Sequence, residues 1–199
     1  DTVVIYTSDQ GMFLGEHDYQ DKRWSFEESL RTPLLIRYPR EIPAHTNCTE
    51  LMANIDIAPT LLDYAEISIP ENMQGISCRN MIAGKPQEEY HKGIYFRYWM
   101  HLAHQHDNPA HYGVRTKDYK LTFYYGLALD AEGAVDKPTQ PGWELYDLQK
   151  DPGELKNVYE DPAYYEIREE LKGLLCELKE KYQDQDEAYV ELQRTFEKY

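Results

Sequence analysis

The residues best equipped for chemistry lie near the start of this 199-residue sequence, between Ser8-Asp9-Gln10-Gly11 and Asp21-Lys22-Arg23. Asp9 and Gln10 set a carboxylate beside an amide carbonyl. Both are hard oxygen donors, suited to Ca²⁺ or Mg²⁺ far better than to Zn²⁺. Two donors are only part of the roughly six to eight oxygens that Ca²⁺ takes, and Asp-Gln-Gly after a strand is equally a plain polar turn. Lys22 carries a compact positive charge that suits anionic oxygens, and equally an ordinary solvated surface. A second cluster, His101, His104, His106 and His111, holds four of the seven histidines within eleven residues. Its spacing fits neither H-E-x-x-H nor a ligand pair with cysteine, so by pattern it is a loop of polar imidazoles rather than a zinc site.

The elements that must position these residues follow from periodicity. Thr2 to Thr7 is a short apolar, β-branched run, the pattern of a strand buried on both faces of a parallel sheet. Ligands gather at the carboxyl ends of such strands, which is where Asp9 and Gln10 stand. Thr32 to Tyr38 predicts a second strand, with Pro33 at its edge. Asp56 is expected to cap a helix with Pro59 in its first turn and an apolar stripe of Ile57, Leu61, Leu62 and Ala65. Beyond Gly84-Lys85-Pro86 come short aromatic runs at Ile94–Trp99, Tyr112–Thr116, Tyr119–Tyr125 and Trp143–Asp147. Turn residues separate them, as in an antiparallel meander. Asp161-Pro162 opens a helix whose stripe of Ile167, Leu171, Leu174, Leu175, Leu178 and Tyr182 forms a docking face. Gln183 to Tyr199 is charged and only weakly amphipathic. The expected division is an α/β part over residues 1–90 and a C-terminal subdomain of antiparallel strands plus helix over 91–199.

Composition narrows the class. The sequence is 41% apolar with 18 tyrosines, enough for a packed core, and its net charge of −15 speaks against a nucleic-acid partner. Cys48, Cys78 and Cys176 form no C-x-x-C pair and give no disulfide framework. No run reaches the roughly 18 apolar residues of a membrane span. The sequence starts without Met at the entrance of an apolar strand, so an upstream, N-terminal part of the same protein is expected. Asn47-Cys48-Thr49 fits a glycosylation sequon, a tripeptide common by chance.

Five collinear motifs resemble the type I, formylglycine-dependent sulfatases over nearly the whole sequence. They are Ser8-Asp9-Gln10-Gly11 with Gly15-Glu16-His17 and Lys22-Arg23; Phe26 to Arg37; Asp56-Ile57-Ala58-Pro59-Thr60-Leu61-Leu62; Tyr112 to Leu121; and Glu144-Leu145-Tyr146-Asp147-Leu148 followed by Asp151-Pro152, Glu154 and Asn157. The resemblance implies the end of an alkaline-phosphatase-like α/β/α sandwich followed by a small antiparallel sheet packed on a C-terminal helix.

It implies Asp9 and Gln10 as ligands to Ca²⁺ (or Mg²⁺), and Lys22 as the catalytic cation on the sulfate oxygens. Asp21 and Arg23 would then reach sugar hydroxyls, and His106 and His111 would contact substrate from the C-terminal subdomain. The Asp-Lys-Arg triplet is similar to that of sulfatases acting on N-acetylglucosamine-6-sulfate, so a sulfated glycan is the implied substrate. The C-x-[PA]-x-R motif that yields formylglycine is absent, since the cysteines read Cys48-Thr49-Glu50, Cys78-Arg79-Asn80 and Cys176-Glu177-Leu178. The nucleophile is therefore expected upstream, and the fragment alone is expected to be inactive. A periplasmic, secreted or lysosomal location follows from the family only. A related phosphatase or phosphonate hydrolase is the alternative, and a non-catalytic carbohydrate-binding module is the third reading; Gln10 in place of a further Asp or His favours one hard cation over a dizinc centre.

Overall fold

Contacts along the chain separate it into two compact units in the computed structural model, which describes residues 2–184 and 186–199. The first comprises Asp1–Lys22 and Glu27–Ile94, the second Arg23–Phe26 and Tyr95–Tyr199. The short segment Arg23–Phe26 thus belongs with residues far along the chain, an assignment no linear boundary expresses.

In the first unit, β1 (Val4–Thr7) pairs antiparallel with β4 (Leu34–Arg37), in the register Val4 to Arg37 and Thr7 to Leu34. Between them lie the two-residue strands β2 (Phe13–Leu14) and β3 (Gln20–Asp21), which pair with each other, and the one-turn helix α1 (Glu27–Leu30). The expected parallel strand buried on both faces is corrected here. Among the described residues β4 is the strand bonded to β1, and Val4 and Tyr6 are exposed. An apolar β-branched run specifies strand geometry, while the direction and cover of its partners come from elsewhere in the chain.

Helix α2 (Ile57–Tyr64) forms where expected, but Asp56 does not cap it. Its carboxylate instead accepts from the backbone N–H of Ala53 (2.7 Å) and of Ile76 (2.9 Å) and pairs with His91. The buried face of α2 is Pro59 and Thr60, not the predicted stripe; Leu61 is exposed. Thr60 Oγ1 accepts from the N–H of Cys78, just before α3 (Arg79–Ile82). Burial pushes the Cys78 thiol up to about 12, so it stays protonated and unreactive.

The second unit is built on a four-stranded sheet in the order β5 (Ile94–Tyr98), β6 (His111–Arg115), β7 (Tyr119–Tyr124) and β8 (Gly142–Asp147). β6, β7 and β8 form the expected antiparallel meander. Strand alternation gives the sheet two faces. Tyr112, Val114, Leu121, Phe123, Trp143 and Leu145 line one and pack against Leu171, Leu175 and Leu178 of α4 (Tyr165–Lys181). Asp161 opens that helix as predicted, accepting from the N–H of Ala163 ahead of a 3₁₀ turn at Pro162–Tyr164. The tail, expected to be charged and only weakly amphipathic, contains a helix among its described residues. Val190–Lys198 forms α5, with Leu192 fully buried and Phe196 edge-on to Phe123 at 5.5 Å. Two apolar residues four apart suffice to dock a short helix, because packing rather than propensity stabilises it.

Candidate functional site

The Asp9–Lys22 loop is shaped by its glycines. A Cβ on Gly11 would lie 2.0 Å from the Glu28 carbonyl oxygen of α1, so only glycine lets the Asp-Gln-Gly turn approach that helix, where the Gly11 N–H donates to the Ser29 carbonyl. Gly15 adopts φ 126°, and Glu16 folds back to accept from the Leu14 N–H at 2.6 Å, which holds its carboxyl below the usual range. Phe13, 1% exposed, packs edge-on to His17 and Tyr19 and anchors the loop. His17 reaches Glu28 of α1 at 3.6 Å, which ties the loop to that helix.

Asp9 and Gln10 stand exposed after β1, with Asp9 Oδ1 accepting from the Ser8 hydroxyl at 3.3 Å. Carboxylate and amide oxygens at a strand end fit a hard divalent cation, though two donors make only part of its shell. Among the described residues no group of three or more His, Cys, Asp and Glu is placed to hold a metal. Lys22 is half-buried at the end of the same loop. The residues on either side of it, Asp21 and Arg23, have φ values of 72° and 95°, in the left-handed region that side chains other than glycine rarely adopt. Such strain persists only where surrounding structure enforces it, and it clusters at functional sites.

In the second unit, Arg23 Nη1 lies 3.1 Å from His106 Nε2. A guanidinium only donates, so the Nε2 of His106 is the acceptor and its proton sits on Nδ1. Two residues 83 positions apart, each expected to meet substrate, are thus brought together. The rest of the histidine cluster is structural or exposed. His101 is fully buried; its Nδ1 accepts from the Ala110 N–H and its Nε2 donates to the Lys137 carbonyl. His104 is exposed in a 3₁₀ turn. His111, expected as a substrate contact, is 1% exposed, with its ring against Tyr98 and Tyr124 and its Nδ1–H donating to the Pro109 carbonyl. Burial, aided by the Lys120 charge, pushes its pKa down to about 4, so it is neutral at pH 7. The structure gives His111 a supporting place beneath the sheet surface.

The residues that sequence reasoning missed are Ser25 and Tyr124. Ser25 is fully buried with Oγ 2.9 Å from the Tyr124 hydroxyl. Neither belongs to a motif, and the one signal was Ser25's place two residues after Arg23.

An α/β unit with hard oxygen donors behind a strand, followed by an antiparallel sheet backed by helices, is the C-terminal architecture of the alkaline-phosphatase-like fold. The model of the family N-sulphoglucosamine sulphohydrolase, C-terminal, matches residues 15–181, and the chain belongs to that family. It is 38% identical, over 93% of its length, to an N-acetylglucosamine-6-O-sulfatase of Bacteroides thetaiotaomicron, and 30% identical over its full length to an arylsulfatase of Clostridium perfringens. It covers 31% and 37% of those two proteins, about a third of each. A solved structure in complex with its substrate D-glucosamine-2-N,6-O-disulfate superposes with a TM-score of 0.82 at 37% identity, over 94% of this chain and 36% of that one. A phosphonate monoester hydrolase of Agrobacterium radiobacter, 22% identical, shares the fold with a TM-score of 0.69 over 91% of this chain and 35% of its own.

Proposed function

We propose that the chain supplies the later-sequence half of the active site of a sulfatase that removes the 6-O-sulfate of an N-acetylglucosamine unit in a glycan. The observation that carries this reading is the Arg23–His106 contact, made by the residue that follows Lys22 in sequence, on backbone held in a strained conformation. Lys22 is the point charge that meets the sulfate oxygens as negative charge develops. Asp21 and Arg23 flank it and bind sugar hydroxyls, the carboxylate accepting and the guanidinium donating. His106, with its lone pair turned to Arg23, orients that guanidinium and offers its Nδ1–H to the sugar. Asp9 and Gln10 would hold Ca²⁺ (or Mg²⁺) together with ligands from other parts of the protein. When bound, the cation supplies Lewis-acid stabilisation of charge on the sulfate group. The formylglycine nucleophile lies outside these 199 residues, and the family's usual setting is the periplasm, the cell exterior or the lysosome. The relative acting on N-acetylglucosamine 6-sulfate and the complex with a 6-O-sulfated glucosamine support the choice of sugar.

The test is turnover by the full-length protein of 6-O-sulfated N-acetylglucosamine, a 2-O-sulfated uronic acid and a phosphonate monoester, each with Ca²⁺ and with chelator. Calcium-dependent sulfate release, fastest from the first, is expected. A preference for the phosphonate ester would move the chain to the phosphonate hydrolases that share its fold. Metal-independent binding of sulfated sugar without turnover would make it a carbohydrate-binding module.

A further inference from the structure

We propose that Ser25 and Tyr124 are positioning residues: their buried hydroxyl pair fixes the segment Arg23–Phe26 on the sheet and thereby aims Arg23 and sets the sugar selectivity of the site. This rests on the sulfatase reading above.

Three consecutive side chains after Arg23 are anchored on one face of the sheet. Trp24 lies against the Tyr124 ring at 6.0 Å, Ser25 bonds the Tyr124 hydroxyl at 2.9 Å, and Phe26 meets Tyr146 at 5.8 Å. Tyr124 of β7 and Tyr146 of β8 point to the same face, opposite the helix-packed core, because Lys120 pairs with Tyr146 and stands four residues before Tyr124. The segment is therefore a strap laid along that face. Aromatic contacts alone would hold it, but they tolerate sliding. A hydrogen bond between two buried hydroxyls does not, because any slip leaves the Ser25 hydroxyl desolvated and unpaired, and leaves Tyr124 with Glu144 alone. Ser25 is 0% exposed and Tyr124 7% exposed, so water does not replace the lost partner. Burial also keeps the Tyr124 hydroxyl protonated across the working pH range.

Arg23 emerges from the anchored end of this strap at φ 95°, a conformation it would leave if the strap loosened. Its guanidinium then meets His106 at 3.1 Å. The line of control runs from the Tyr124 hydroxyl through Ser25 to the Arg23 backbone, and from there to the Arg23–His106 contact. A space-filling segment in this aromatic layer would be better served by alanine than by serine, whose hydroxyl costs desolvation unless it is used.

The experiment compares Tyr124→Phe, Ser25→Ala and the double variant with wild type in the full-length protein. The first readout is the ratio of kcat/KM for 6-O-sulfated N-acetylglucosamine to that for 4-nitrophenyl sulfate, which lacks the sugar hydroxyls. Each single variant is expected to lower this ratio about tenfold, and the double variant no further than Tyr124→Phe alone, since both single changes remove the Ser25–Tyr124 bond and only Tyr124→Phe also removes the contact with Glu144. A general loosening of the fold lowers both substrates alike, and an unchanged ratio in both single variants would overturn the proposal. The second readout is the ¹⁵N spectrum of His106. Wild type is expected to show the Nδ1–H form with a hydrogen-bonded Nε2 lone pair, and the variants a mixture of tautomers; persistence of the wild-type signature would also overturn it. Failure of wild type to hydrolyse the sulfated sugar refutes the sulfatase reading by itself, and the His106 spectrum still decides the anchor.

Discussion

His91 Nε2 stands 2.8 Å from Asp56 Oδ2 inside the first unit, with both side chains shielded from solvent. The same carboxylate accepts from the backbone N–H of Ala53 and of Ile76, so one side chain ties together three segments that are distant in sequence. Its two oxygens meet three donors, so the buried carboxylate is hydrogen-bonded at both oxygens.

Asp56→Ala therefore removes three partnerships at once and leaves two backbone donors and an imidazole buried without an acceptor. A loss of about 3–5 kcal/mol is expected, as when one member of a buried pair is deleted. Urea unfolding checks it. A loss under about 1 kcal/mol would show that water or a neighbour replaces the carboxylate.

The neutral His111 makes the second unit acid-sensitive. Its folded pKa of about 4 lies below the ordinary 6.5, so the unfolded chain takes up the proton first as pH falls. The contribution is intact above about pH 6.5 and is lost progressively down to about pH 4, roughly 3 kcal/mol in all at ~1.4 kcal/mol per pH unit. His111→Phe is expected to flatten this part of the stability–pH profile. A profile equally steep in the variant would assign the acid sensitivity to other groups.

Helix α5 holds through Leu192, fully buried, and Phe196, which touches Tyr112, Phe123 and Trp143. Leu192→Ala is expected to cost about 2–5 kcal/mol. Hydrogen exchange would show α5 amides opening well before those of β7. Uniform protection in the variant would contradict the docking role.

At the site, Lys22→Ala in the full-length protein is expected to reduce kcat by about 10²–10³-fold while leaving the fold intact, the usual cost of losing one preorganised charge donor. Arg23→Lys keeps the charge but not the planar fork and is expected to raise KM for the sulfated sugar about tenfold. The 199-residue chain by itself is expected to release no sulfate with added Ca²⁺, since it carries no C-x-[PA]-x-R sequence. Measurable hydrolysis by that chain would contradict the assigned location of the nucleophile.

Much of this was legible in the residues themselves. The aromatic runs at Tyr112, Tyr119 and Trp143 predicted the strands of the meander, and the Ile167–Tyr182 stripe predicted the docking face of α4, because each rests on a local period. The hard-donor chemistry of Asp9-Gln10 and the Asp-Lys-Arg triplet were equally plain. Other features were not local. Asp56 looked like a cap because Asp before a helix usually is one; nothing near it in sequence announces Ile76 or His91 as partners. β1 looked like a strand buried in a parallel sheet, yet it pairs antiparallel with β4 and carries exposed Val4 and Tyr6. The charge of the tail hid α5, whose burial depends on two residues only.

For the site, the sequence by itself determined which side chains are chemically able to act: the oxygens of Asp9 and Gln10, the charge of Lys22, the carboxylate of Asp21 and the guanidinium of Arg23. Only the tertiary structure decided which of four clustered histidines meets Arg23. His106 faces Arg23 while His101 and His111 are turned into the interior, and in the proposal above the Ser25–Tyr124 bond seats Arg23 for that contact. Such long-range contacts arise from burial and hydrogen bonding between residues about a hundred positions apart, and no local periodicity encodes them.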